Sequence, residues 1–136
     1  MDLPLILAGS LALVAAAIHG GVGEAKVVSR LTPEALPGTP LGGPRMTRAM
    51  IHVTWHLTTV AFLAVGCALL LSGTVLDADQ ARPLALVAAG AAVGFAVLAV
   101  GLGAANTRSP RTFIAHPGPA ALSLTAILAI WGALAL

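Results

Sequence analysis

The residues most able to do chemistry in this 136-residue chain are its four histidines, which lie beside long apolar runs. His52 and His56 are four residues apart, so on a helix they project from one face about one turn apart. This spacing lets two imidazoles share one ion, as in the helical motif in which two histidines bind zinc. Arg48 precedes the pair by one turn and Thr59 follows it. We therefore expect a polar stripe that points into a helix bundle, because polar groups facing lipid are costly.

Three further residues are candidate ligands of the same site. His19 and Glu24 lie near the end of the first apolar run, and His116 comes directly before the last one. On an ideal helix His19 and Glu24 differ by about 140° in direction, so they converge only if one of the three glycines between them breaks the helix. The proline after His116 disfavours helical geometry at this histidine, which leaves open that it only introduces the last helix.

These residues predict a bound metal ion or a haem. The expected metal ligands are His19, Glu24, His52, His56 and His116. Zinc or non-haem iron suits imidazole and carboxylate ligands in the absence of thiolates. Haem b is the alternative, with one of the paired histidines opposite His19 or His116, but the i, i+4 spacing favours a non-haem ion. Whether the chain is an enzyme stays open; such an enzyme would be an oxidoreductase or a hydrolase of a lipid-soluble substrate.

The composition indicates which solvent surrounds these residues. Hydrophobic residues make up 58% of the chain and charged residues 9%, whereas soluble domains have roughly 25% charged residues. So few charges cannot cover a water-soluble surface, and they exclude intrinsic disorder. The net charge of +2 comes from basic residues spread along the chain, which argues against nucleic-acid binding. The expected surroundings are therefore a lipid bilayer.

Four apolar segments are long enough to cross it, since a helical span needs about 20 residues. The predicted fold is an all-α integral membrane bundle of four transmembrane helices, forming one membrane domain over residues 1–136. The expected spans are residues 4–22, 51–73, 83–105 and 117–136. A long loop over residues 23–50 contains four prolines, so it cannot be one continuous helix. It begins with an expected short amphipathic piece over residues 24–31.

The basic residues predict the orientation of these spans. Six of the seven basic residues fall on one side of the four-span topology: Lys26, Arg30, Arg45, Arg48, Arg108 and Arg111. The positive-inside rule places this side in the cytoplasm, so both termini are expected outside and the histidines on the cytoplasmic side. The His19 and Trp55-His56 layout resembles that of small bacterial four-span proteins, and this resemblance implies the inner (plasma) membrane without implying an activity.

The glycines of the third span suggest a different kind of role. Gly90 and Gly94 form a G-x-x-x-G step, and Gly101 follows one heptad later. Small residues at this spacing let helices approach closely, either within the bundle, between protomers of a homo-oligomer, or against a larger membrane partner. An accessory or structural subunit without a cofactor is thus the alternative function. Proton or solute transport is another, although the outer halves of the spans carry no ionisable residue.

Overall fold

The computed structural model describes residues 1–40, 42–108 and 116–136. Arg111 and most of the connection between the third and fourth spans lie outside these residues. The described residues confirm the predicted all-helical class. Their α-helices are α1 (Leu3–Ala17), α2 (Glu24–Lys26), α3 (Pro44–Thr74), α4 (Ala78–Thr107) and α5 (Gly118–Ala135). A π-helix, Ile18–Gly23, joins α1 directly to α2, and short 3-10 turns follow at Val28–Arg30 and Pro33–Ala35.

Four of the described helical stretches are long and apolar enough to cross a membrane. They are Leu3–Arg30, Pro44–Thr74, Ala78–Thr107 and Gly118–Ala135. Large apolar side chains on them point outward: Val87 is 73% exposed, and Leu57 and Trp131 are each 62% exposed. Apolar exposure on this scale marks a surface made for contact with other apolar groups. Helix length and composition thus agree with the four predicted spans.

Two helices, α3 and α4, begin several residues before the apolar runs that predict them. α3 begins at Pro44, whereas the predicted span begins at residue 51, and proline is favoured in the first turn of a helix. α4 begins at Ala78, where the Asp77 carboxylate accepts a hydrogen bond from the backbone N–H of Gln80 at 3.1 Å. Hydropathy marks the part of a helix suited to hydrocarbon, whereas proline and the aspartate cap mark where helical geometry starts.

The described chain divides into two compact units, one of residues 1–15 with 63–136 and one of residues 16–62. In the first unit, α1, α3, α4 and α5 pack around a shared apolar cluster. Its buried members are Leu5, Ala8, Ala12, Val65, Leu69, Ala85, Ala88, Ala89, Ala92, Ala96, Ala126, Ala129 and Ala133. Alanine dominates because small side chains let helix backbones approach closely.

The closest approach of a glycine to backbone atoms among the described residues of this unit lies between α1 and α3. A Cβ atom added at Gly9 would lie 2.9 Å from the carbonyl oxygen of Gly66 and from the backbone nitrogen of Leu70. By contrast, a Cβ atom at Gly90, Gly94 or Gly101 would meet no described atom within 4 Å. The expectation that these three glycines pack within the bundle is therefore not met in the described residues, because they lie on the outward face of α4. Packing between protomers stays a prediction.

The second unit holds the connecting segment against the first turns of α3. Arg48 Nε donates to the carbonyl oxygen of Leu31 at 2.7 Å, and Thr47 Oγ1 donates to that of Pro37 at 2.9 Å. Val28 is 1% exposed. The prolines do prevent a continuous helix here, but side chains of α3 satisfy backbone carbonyls that the irregular segment leaves free.

Candidate metal centre

Three side chains of the second unit place one metal-binding atom each within 4.8 Å of one another. They are Glu24 at the start of α2 and the paired histidines of α3. Oε2 of Glu24 lies 3.3 Å from Nε2 of His52 and 3.3 Å from Nε2 of His56. The two imidazole rings lie side by side, with centroids 5.0 Å apart. The predicted sharing of one helical face by His52 and His56 thus brings both rings to a single carboxylate oxygen.

The two separations between the carboxylate oxygen and the imidazole nitrogens match those of ligands around a tetrahedral ion. Zinc lies about 2.0–2.1 Å from imidazole nitrogen and about 2.0–2.2 Å from carboxylate oxygen, so two such ligands at a tetrahedral angle are about 3.4 Å apart. The observed nitrogen–oxygen distances are both 3.3 Å. The donor set of two imidazoles and one carboxylate is also the one that zinc and non-haem iron use in sites with open positions.

The Glu24 carboxylate has an unsatisfied oxygen at this position. Oε2 is buried and receives no hydrogen bond from the described residues, although two imidazole nitrogens lie 3.3 Å away. Buried polar atoms are nearly always hydrogen-bonded, and an exception calls for an explanation such as an ion. In a simple ion pair an imidazole N–H would point at the oxygen. Ligands of a common ion instead direct their lone pairs at the ion rather than at each other.

The carboxylate of the site is less exposed than the two imidazoles. The Glu24 side chain is 29% exposed, whereas those of His52 and His56 are 41% and 45% exposed. The described contacts include no fourth histidine, cysteine or carboxylate in this group. A bound ion would therefore keep at least one coordination position that a water molecule or a substrate atom can reach.

The π-helix explains how Glu24 reaches the histidines. Residues 18–23, with the sequence Ile-His-Gly-Gly-Val-Gly, form this segment. Glycine is a poor α-helix former. In a π-helix the backbone hydrogen bonds join residues i and i+5, so side chains five residues apart lie near the same side of the helix. His19 and Glu24 are five apart. The predicted break by a glycine is thus a widening of the helix, and it turns both side chains toward α3.

His19, a predicted ligand, has a different set of contacts. Its ring stacks on the indole of Trp55, with centroids 4.1 Å apart and planes at 11°. His19 Nε2 donates to the carbonyl oxygen of Trp55 at 3.2 Å, and Trp55 Nε1 donates to the carbonyl oxygen of His19 at 2.9 Å. Phe62 touches the same imidazole edge-on. Sequence reasoning missed this contact, because reciprocal bonding to a backbone leaves no sequence signal.

His116, the remaining predicted ligand, belongs to the other unit. Its side chain is exposed, and its Nδ1 accepts a hydrogen bond from the backbone N–H of Gly118 at 3.1 Å. This contact satisfies one of the free donors at the start of α5. Within the second unit the structure therefore brings Glu24, His52 and His56 together and pairs His19 with Trp55. The contact of His116 is with the start of α5.

Comparisons with protein-family models, with curated proteins and with solved structures find no match to this chain. Its function must accordingly be argued from the site.

Proposed function

We propose that this protein is a small membrane protein that binds one divalent metal ion through Glu24, His52 and His56, and that zinc is the ion that fits best. The ligands come from two places in the chain, the end of the first span and the third and fourth turns of α3. Imidazole nitrogen and carboxylate oxygen are both ligands that zinc commonly takes in proteins. Zinc also binds such sites more tightly than Fe²⁺ does, by the usual order of divalent metals.

One observation carries this proposal, which is the buried Oε2 atom of Glu24. It is equidistant from two imidazole nitrogens and has no hydrogen bond among the described residues. Leaving a buried carboxylate oxygen without a hydrogen bond costs free energy. A metal ion between the three ligand atoms removes this cost and explains why all three are held so close together.

Three protein ligands favour a reactive site over a purely structural one. Structural zinc sites have four protein ligands, whereas catalytic sites have three and keep a position for water or substrate. An ion held in this way supplies Lewis acidity and an activated water. In a membrane protein, hydrolysis of a lipid-soluble substrate would suit zinc, and redox chemistry would suit iron.

Haem b is the less favoured cofactor at this site. A haem with two histidines needs axial ligands on opposite sides, whereas both rings of the His52/His56 pair approach the same oxygen. A haem held by one of them and His19 would require His19 Nε2 to leave the carbonyl of Trp55. The donor geometry thus supports an ion with fewer changes.

The membrane location and the side of the site complete the proposal. The four helices are long and apolar enough to cross a bilayer, and the excess of lysine and arginine near the histidines argues that this end is cytoplasmic. Under this orientation both termini are outside in the inner membrane. The site then lies where a cytoplasmic ion and a substrate dissolved in the bilayer both have access.

The direct test is zinc binding by protein purified in mild detergent without a histidine tag. After incubation with zinc and removal of free metal, we expect one zinc per chain by elemental analysis. A chain that retains no zinc, and that also binds neither iron nor haem on reconstitution, would overturn the proposal. A Soret band with no bound ion would favour the haem alternative instead.

Glu24→Gln should weaken zinc binding by at least about 10-fold. Losing only a group that supports a metal ligand typically costs 10–100-fold in affinity, and the amide removes the charge of a direct ligand while keeping its size. The matched control is Glu34→Gln, which removes the chain's other glutamate at an exposed position. Chelator competition should give wild-type affinity for this control. Equal affinities for both variants would exclude Glu24 as a ligand.

The outward glycine face of α4 favours an accessory role as the second candidate. Gly90, Gly94 and Gly101 have open space where a Cβ would be, as expected of a surface that receives another helix. In this alternative the chain forms a homo-oligomer or joins a larger membrane protein, and it needs no metal ion.

A further inference from the structure

The reciprocal contact between His19 and Trp55 lies directly beside the proposed ligands. Trp55 precedes His56 by one residue, and His19 precedes Glu24 by five. Two hydrogen bonds and a stacked ring pair thus join the π-helix to the turn of α3 that carries the imidazoles. The hydrogen bonds fix the distance between the π-helix and α3. The stacked rings fix how the two segments are rotated relative to each other. A displacement of the π-helix would also displace Glu24, which follows it immediately.

Two glycines let the π-helix lie this close to α3. A Cβ atom at Gly23 would lie 2.5 Å from Cζ2 of Trp55, and one at Gly20 would lie 2.7 Å from Cγ2 of Thr59. Both distances are too short for real atoms, so a side chain at either position would push the two segments apart. Gly21, between them, has open space at its Cβ position within the described residues. The close approach is therefore specific to one face of the π-helix.

We propose that His19, Trp55 and Gly23 are positioning residues, which hold Glu24 at the distance from His52 and His56 that a metal ion requires. This inference rests on the proposed metal site. It gives His19 a role through Glu24 rather than as a ligand. The widened helix directs Glu24 toward α3, and the His19–Trp55 contact sets the distance between Glu24 and α3. Gly23 lets the two segments come this close, because it has no side chain.

The test is a titration with Co²⁺, whose visible absorption responds to the number and geometry of its ligands. Gly23→Ala is compared with Gly21→Ala, an identical change two residues away that meets open space. We expect Gly21→Ala to keep the wild-type spectrum and affinity. Gly23→Ala should change the spectrum and lower the affinity by about 10-fold or more, as loss of support for a metal ligand does.

A double-mutant cycle separates positioning from a general effect on folding. If Gly23 acts through Glu24, then Gly23→Ala should have little further effect on Co²⁺ affinity in a Glu24→Gln background, because interacting residues are not additive. Trp55→Phe, which keeps an aromatic ring but loses the N–H donor, is run through the same cycle. It provides the test if Gly23→Ala does not fold, as judged by circular dichroism and gel filtration.

The possible outcomes are distinct. Wild-type protein that binds no Co²⁺ would overturn the metal site, and with it this inference. Wild-type binding with equal affinities for Gly23→Ala and Gly21→Ala would overturn the positioning role alone. Gly23→Ala or Trp55→Phe could also lower Co²⁺ affinity by the same factor in the wild-type and Glu24→Gln backgrounds. This result would overturn the positioning role too, since the effect would then not pass through the carboxylate. A loss confined to the Glu24-containing chain supports it.

Discussion

Replacing both His52 and His56 by alanine should abolish zinc binding. Removing an outer partner of a ligand typically costs 10–100-fold in metal affinity, so losing two direct ligands should lower the affinity by more than about 100-fold. The measurement is chelator competition on tag-free protein, with elemental analysis of the purified chain. Alanine is the strongest helix former, so α3 itself should be unaffected by the two substitutions.

Folding can be separated from metal binding in this variant. The two imidazoles are 41% and 45% exposed, so their removal leaves no buried cavity of the kind that destabilises a core. We therefore expect an unchanged circular dichroism spectrum and unchanged thermal unfolding in the absence of metal. A variant that unfolds would show that the pair has a packing role that the contacts do not reveal.

His116→Ala is the matched control for the double substitution. His116 is exposed, and its Nδ1 accepts a hydrogen bond from the start of α5, so its removal should leave zinc affinity at the wild-type value. A large loss in His116→Ala, or zinc retained by the double variant, would contradict the assignment of ligands. Either result would mean that the ligands include other members of the five residues predicted from the sequence.

The sequence predicts the part of this site that depends on local geometry. Residues four apart on a helix must share a face, so the proximity of His52 and His56 follows once α3 is recognised as a helix. Long apolar runs identify that helix and the other three, because only length and hydropathy are needed. The apolar run places the start of α3 too late, although Pro44 is itself a helix-start signal.

The approach of Glu24 could not be predicted in the same way. Ideal α-helical geometry directs Glu24 about 140° away from His19, and three glycines indicate only that the helix is weak there. Whether a weak helix kinks, stops or widens depends on what packs against it. Here the neighbouring surface is the indole of Trp55. Residue 23 can pack against this ring only as a glycine, and the indole N–H donates a hydrogen bond to the backbone carbonyl of His19.

The glycines show a similar limit of sequence patterns. The G-x-x-x-G step at Gly90 and Gly94 is the recognisable motif, yet these residues face outward in the described structure. Gly9 and Gly66, which belong to no such step, form the close contact between α1 and α3. A motif shows that a helix has a face of small residues. Which helix meets that face is decided by the packing of the whole unit.

Gly9→Leu should therefore destabilise the protein severely, whereas Gly90→Leu should not. A Cβ at position 9 would lie 2.9 Å from two backbone atoms of α3, and backbone cannot move aside as a flexible side chain can. Overpacking of this kind typically costs about 1–3 kcal/mol, sometimes more, and leucine adds three further carbon atoms. We expect a fall in Tm of more than about 5 °C, measured by thermal unfolding in detergent.

Gly90→Leu serves as the control and also tests the alternative function. Its side chain would project from the outward face of α4 into open space among the described residues, so Tm should stay near that of the wild type. If that face joins protomers, the same substitution should shift the protein from oligomer to monomer in light scattering, because close helix contact needs a small residue. Equal losses of Tm in both variants would show that α4 uses its glycines within the chain. Zinc binding should persist in Gly90→Leu, because none of the proposed ligands lies on α4.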